Sequence, residues 1–187
     1  MINLEALHRP LYVPDVLVNA LSQDPTRPLL QLIDGPLLTV GDVRDATSQF
    51  VQALRSLGVS AGSRVGILSA NRPEVLHVGH AIQLLAAIAI PMHPLAGAAD
   101  HLHAVTDSQM QLLLFDAQRY GARAAELTHN VPALKLLALG SSPLARDVCE
   151  LALKFAPAPL VPPSVGPHKP DKKALRARYG QPDGSGR

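Results

Sequence analysis

The stretch Gly62–Pro94, GSRVGILSANRPEVLHVGHAIQLLAAIAIPMHP, decides how the chain folds. It leaves a turn at Gly62-Ser63-Arg64, runs through the apolar segment Val65 to Leu68, and breaks at Asn71-Arg72-Pro73-Glu74. Asn71 can offer a side-chain oxygen to the free amides of a helix start, and Pro73 suits a first helical turn, where its missing N–H removes no bond. This predicts a helix over residues 74–87, then a strand over residues 88–92 closed by His93-Pro94. Both strands are apolar without alternation, the pattern of strands covered on two faces. Strand, turn, helix and strand in that order imply parallel pairing, so the fold class is α/β: a mainly parallel sheet flanked by helices.

The same rhythm continues downstream, with helices predicted over 100–107 and 120–127, strands over 111–115 and 134–139, and a last helix over 144–155. Upstream, residues 15–23 suit a short helix. Leu29 to Ile33 and Leu37 to Thr39 read as two short strands joined at Asp34-Gly35-Pro36, a strong turn signal, so a small N-terminal hairpin is predicted. Thr39 and Asp42 have the spacing of a capping box. The helix that follows carries Val43, Ala46, Phe50, Leu54 and Leu57 along one face, and Gly58 is placed to stop it in the left-handed conformation.

Composition bounds the function. Of 187 residues, 17 are Lys or Arg and 15 Asp or Glu; charged residues make up 17% and aromatic residues 3%. Neither a strong basic field nor a supply of stacking rings is present, which argues against nucleic-acid binding. The lone Cys149 excludes an internal disulfide and a closed cysteine zinc site. Residues 1–10 lack the basic start and apolar run of a signal peptide, and a cytoplasmic location is expected. Val75 to Met92 carries no Asp, Glu, Lys or Arg, yet His77, Gly79, His80, Gln83 and Pro91 interrupt it, so no membrane span is expected.

Composition changes near Phe155. Residues 157–187 hold seven Pro and four Gly, with Lys169, Lys172, Lys173, Arg176, Arg178 and Arg187 opposed only by Asp171 and Asp183. Removing those six cations and two anions from the totals of 17 and 15 leaves 11 against 13, so the remainder is slightly acidic. The sequence therefore divides into a folded part, residues 1–156, and a Pro/Gly-rich basic disordered tail, residues 157–187. Loss of apolar periodicity after Val165 suits an interrupted reading frame, which sequencing past the codon for Pro167 would test.

Candidate chemistry is sparse. Glu74, His77 and His80 share a predicted helix, but a di-iron bundle needs a second Glu-x-x-His and two further glutamates on other helices, and His101 and His103 fall on different faces. No metal site is assigned. Cys149 lies in the apolar run Val148 to Phe155, and no Gly-x-Ser-x-Gly elbow occurs, so no nucleophile is assigned. Gly58, Gly62 and Gly66 match neither the dinucleotide fingerprint nor a P-loop, and before Pro157 only Lys135 and Lys154 are lysines. No catalytic, cofactor-binding or metal residue is assigned.

Taken in order, Leu38-Thr39, the amphipathic helix, Leu57-Gly58-Val59, Gly62 to Leu68, Asn71-Arg72-Pro73-Glu74 and Pro91-Met92-His93-Pro94 resemble the N-terminal segment of AMP-forming fatty-acyl-CoA synthetases of the adenylate-forming ligase superfamily. The similarity runs through Asp107-Ser108 and Phe115-Asp116 to the Pro-rich Ala156–Pro163, roughly residues 12–165. It departs at Ser63, where an Asp is usual before the Arg, and at Ala87–Ile90, where a Gly-Ala pair is usual. The resemblance implies ATP, Mg and CoA as cofactors and a fatty acid as substrate, activated to acyl-AMP and passed to CoA. It places residues 1–156 in an AMP-binding domain. The family's phosphate loop, Thr-Thr-Gly-x-Pro-Lys-Gly, is not found in these 187 residues. The expectation is accordingly a truncated portion that binds no cofactor alone and is inactive. The alternative is a non-catalytic interaction module that meets a partner through an exposed apolar face.

Overall fold

A computed structural model describes residues 12–33 and 35–163. Four parallel strands form the main sheet: β3 (Arg64–Leu68), β4 (Ile88–Pro91), β5 (Leu112–Asp116) and β6 (Lys135–Leu139), in the order β4-β3-β5-β6. Pairing is in register from Val65 with Leu112 to Leu68 with Phe115, and from Leu112 with Lys135 to Asp116 with Leu139. The chain steps from β3 outward to β4 and then back across β3 to β5, so the sheet reverses direction between β3 and β5. Crevices at such a reversal, on the carboxyl side of the strands, are where open α/β sheets bind ligands.

Alternate residues of the central strands feed two cores. Val65, Ile67, Leu112, Leu114, Leu137 and Leu139 pack with α2 (Val40–Ser56), α3 (Pro73–Leu84) and α6 (Val148–Ala152). Leu68, Leu113, Phe115 and Ala138 pack on the other face with α4 (Ala98–Asp107) and α5 (Ala117–Asn130). All five residues of β5 are buried, the apolar run Leu112 to Phe115 as a strand covered on two faces requires, and Asp116 at its end with them. Gly66 is held small by its neighbour, since a Cβ there would run into the Met110 side chain.

The hairpin forms as β1 (Pro28–Gln31) and β2 (Leu37–Thr39), antiparallel with Leu30 opposite Leu38, and α1 (Val13–Leu21) precedes it. Gln31 Nε2 donates to the Gly35 carbonyl at 2.9 Å and steadies the turn, while Asp34 of the predicted turn lies outside the described residues. At the start of α2 the capping box closes: Asp42 N donates to Thr39 Oγ1 at 3.2 Å and Thr39 N to Asp42 Oδ2 at 2.8 Å. Gly58 ends that helix at φ +87°, with Val59 N donating back to the Leu54 carbonyl at 3.0 Å.

Four expectations need correction. Asn71 is not the cap of α3. Pro73 is the first helical residue, which makes Arg72 the cap position, with an extended backbone and no side-chain capping bond. That helix stops at Leu84 rather than Ala87, because Ala86 turns left-handed at φ +53° and directs the chain into β4. Strand β4 is the sheet edge rather than a strand buried on both faces, with Ile88 50% exposed; Pro91 fits there because an edge strand has donors to spare. The last helix begins at Val148 rather than Leu144, since the preceding residues run alongside β6: Ala138 N donates to the Arg146 carbonyl at 2.9 Å and Ala138 pairs with Asp147.

The composition break near Phe155 does not end the packing. Ser48 Oγ donates to the Ala158 carbonyl at 2.7 Å and accepts from Ala158 N at 2.8 Å, and Gln52 Nε2 donates to the Ala156 carbonyl at 2.7 Å. Leu160 rests against the core beside α2. Residues 164–187 of the predicted tail lie outside the described residues.

Candidate functional site

The carboxyl edge of the sheet gathers one cation and three carboxylates. Arg72 owes its position to the Pro73 that follows it, which holds the backbone extended and frees the side chain to reach across the strand ends. Its Nε donates to Glu74 Oε2 at 2.8 Å and its Nη2 to Glu74 Oε1 at 3.1 Å, a bidentate pair. Its Nη1 donates to the Leu139 carbonyl at the end of β6, 3.1 Å away, and lies 3.7 Å from Asp116 Oδ2 at the end of β5. One guanidinium thus ties together α3 and the ends of β5 and β6.

Electrostatics follow from those contacts. The hydrogen bond to Glu74 holds the Arg72 guanidinium above its ordinary range against the opposing cost of burial, and the same bond holds the Glu74 carboxyl below its usual range. Asp116 is buried, and its Oδ1 accepts from Gln118 N at 3.0 Å and Arg119 N at 3.4 Å, capping α5. Asp147 Oδ1 accepts from Cys149 N at 2.8 Å, capping α6, and from Gly140 N at 3.2 Å in the loop after β6. Helix starts are ready-made anion sites when their amides are free. Here α5 and α6 have their own carboxylates on those amides, and α3 has Pro73 and Glu74 in its first turn.

Cys149 stands beside this cluster as a thiol, not a thiolate. Burial first, then the charges of Asp147 and Glu74, push its pKa up to about 12. His77 is buried with its ring stacked on Phe50, centroids 6.2 Å apart and planes at 17°, and burial drives its pKa down, as it does for His80. His101 is also buried, its Nε2 2.9 Å from the His93 carbonyl, while His103 on the same helix is exposed. Among the described residues no three His, Cys, Asp or Glu side chains are grouped to hold a metal. Lys135 starts β6 at the amino edge, and Lys154 follows α6 on the surface; neither joins the Arg72 cluster.

Two concavities flank the sheet. An apolar groove of about 610 Å³ lies beside Arg72, between the hairpin residues Leu30, Leu32 and Ile33 and the α3 residues Val75 and Leu76. A cleft of about 650 Å³ opens at the opposite, amino edge. The role of Arg72 as a tie across three elements escaped the sequence, although an Arg before a helix-starting Pro, directly after a buried strand, is the available signal.

Comparison with known proteins agrees with this architecture. The family described as AMP-binding enzyme matches residues 18–174. The medium/long-chain-fatty-acid–CoA ligase FadD8 of Mycobacterium tuberculosis is 35% identical over 170 residues, covering 87% of this chain and 30% of that protein. The long-chain-fatty-acid–CoA ligase FadD15 of Mycobacterium bovis is 33% identical over 135 residues, covering 70% of this chain and 22% of its own length. Among solved structures, the anthranilate CoA ligase AuaEII in complex with anthranoyl-AMP superposes with a TM-score of 0.71 at 22% identity, covering 83% of this chain and 31% of that one. A benzoate CoA ligase from Burkholderia xenovorans LB400 gives 0.65 at 20% identity, over 80% and 29%. The chain spans less than a third of the length of these curated relatives. A family match running from α1 past the last described residue, on a sheet shared with solved ligases, leaves one assignment: the chain belongs to the AMP-binding enzyme family.

Proposed function

We propose that this chain is the N-terminal portion of a fatty-acyl-CoA synthetase and that it does not adenylate a fatty acid by itself. The fatty-acid class is supported by its similarity to FadD8 and FadD15, whose names specify medium- and long-chain acids. Inactivity in isolation is supported by one observation above all: at the carboxyl edge α3 carries Glu74 in its first turn, α5 and α6 are capped by Asp116 and Asp147, and Arg72 is engaged by Glu74 and Asp116. A triphosphate brought to that edge meets carboxylates where it needs free amides and a positive charge. Stabilising phosphate charge dominates phosphoryl and adenylyl chemistry, and the scarcity of such groups at this edge supports inactivity of the chain alone. On this reading ATP, Mg and CoA are met by parts of a synthetase other than these 187 residues.

ATP–pyrophosphate exchange with medium- and long-chain acids tests the proposal. The purified chain is expected to give no exchange above the blank; robust exchange would overturn it. A second reading, an interaction module, is favoured by the apolar groove beside Arg72, where Ile33 is 94% exposed. Size-exclusion chromatography separates the two: a clean monomer with a cooperative melt favours an independent module, and self-association or insolubility favours a portion of a larger enzyme.

A further inference from the structure

The amino-edge cleft has no part in the reading above, and its lining is unlike the carboxyl edge. Its floor and walls include Leu57, Val59, Val105, Met110 and Leu112, and its polar lining includes the cations Arg64 and Lys135 with no Asp or Glu among the lining residues. Val65, Leu112 and Lys135 pair in one row across three strands, so Arg64 and Lys135 start strands that lie two spacings apart, roughly 10 Å. Among the described residues neither cation has a carboxylate within ion-pair distance.

Arg64 is aimed rather than loose. Its Nε donates to the Gln109 carbonyl at 3.0 Å, and its backbone N donates to Gln111 Oε1, also at 3.0 Å. Gln109 adopts φ +50°, a left-handed conformation that costs a side-chain-bearing residue energy, and it too lines the cleft. Helices α2, α4 and α5 all end here, and helix ends carry partial negative charge. One carbonyl in the last turn of each is taken up by the chain that follows: Val59 N donates to Leu54 O, Met110 N to Val105 O and Val131 N to Leu127 O. Beside those partial charges the mouth carries two formal positive charges, Arg64 and Lys135, above an apolar floor.

We propose that this cleft binds an amphiphilic oxyanion, an apolar body with a carboxylate or phosphate head, the head held by Arg64 and Lys135. The site is remote from the Arg72 cluster and does not depend on the synthetase reading. A volume of about 650 Å³ is in the range of small-molecule pockets, and an arginine whose Nη atoms bond to nothing among the described residues is suited to a planar carboxylate or a phosphate.

The test titrates the full chain, labelled with ¹⁵N, with decanoate, decyl phosphate and decanol, each below its micelle threshold. Amide shifts are expected to centre on Val65, Val105, Met110 and Leu112 and to saturate for at least one of the two anions, whichever binds more tightly naming the head group. Decanol is expected to bind at least about tenfold more weakly, the scale of a charge-assisted hydrogen bond. Lys135→Gln should weaken the anion about two- to fivefold, as an exposed charge does. Arg64→Gln should weaken it about tenfold or more, and Arg64→Lys should recover part of that loss, which separates charge from folding if Arg64→Gln melts early. Shifts centred elsewhere, anions binding no better than decanol, or unchanged affinity in both Lys135→Gln and Arg64→Gln would overturn the proposal.

Discussion

Ala86 sits at φ +53°, just past the end of α3, with its N–H donating to the Gln83 carbonyl and that of Ala87 to Ile82, the bonds of a helix stopped by a left-handed residue. Gly58 does the same job for α2 at φ +87° without a Cβ to crowd the backbone. The left-handed conformation costs an L-residue about 1–2 kcal/mol, while glycine loses roughly 0.5–1 kcal/mol more chain entropy on folding than alanine. The balance favours glycine. Ala86→Gly is expected to stabilise the chain by about 0.5 kcal/mol in urea unfolding, and a loss of stability would show that the strain is relieved in some other way. This residue adjoins Ala87–Ile90, where the resemblance marked a missing glycine. What the sequence could not show was which residue carries the positive φ, because that depends on where the helix stops.

Among the elements, what was legible in the sequence was local. Thr39 with Asp42, Gly58 after Leu57, and the apolar runs of β3, β5 and β6 all act through neighbours a few residues away, and all stand where they were read. Features set by distant partners were not legible. Residues 146–147 look helical but pair with β6, and Ala158 reads as tail but bonds to Ser48, 110 positions earlier. Arg72 belongs to this second class, since its partners Asp116 and Leu139 are 44 and 67 positions away. Arg72→Met would leave Glu74 half-buried without its bidentate partner and the Leu139 carbonyl without a donor. With the Arg72 side chain 28% exposed, solvent softens that loss, and about 1–3 kcal/mol is expected in urea unfolding with no change in slope. Arg72→Lys should recover little of it, because an ammonium cannot serve a carboxylate in two-point fashion and reach β6 as well. A cost below about 0.5 kcal/mol, within the ordinary range of surface substitutions, would reduce the tie across the strand ends to decoration.

For the molecule as a whole, stability against pH sums the protons that unfolded and folded chains hold differently. Two histidines of α3 dominate the mildly acidic side. Burial lowers His77, helped by the charge of His80 and opposed by Glu74, and burial alone lowers His80. Both have buried Nδ1 atoms that find no hydrogen-bond partner among the described residues, so no acceptor there stabilises a proton on that nitrogen. A histidine depressed in the folded state leaves stability intact above its unfolded value near 6.5 and removes it as pH falls below that value, since the unfolded chain then takes up a proton that the folded chain refuses. Glu74 adds a second, lower window. Its carboxyl is depressed by Arg72, so its contribution is present above about 4.5 and is lost as pH falls below it. Unfolding free energy is therefore expected to decline from about pH 6.5 downward and to steepen below about 4.5. His77→Phe keeps a ring for Phe50 to stack on and removes one titrating site, and combined with His80→Gln it should flatten the upper decline while leaving the lower one in place. A double variant whose profile between pH 7 and 5 superimposes on that of the unaltered chain would mean that these buried imidazoles exchange protons as freely as in water, and that the packing of α3 against α2 does not exclude charge.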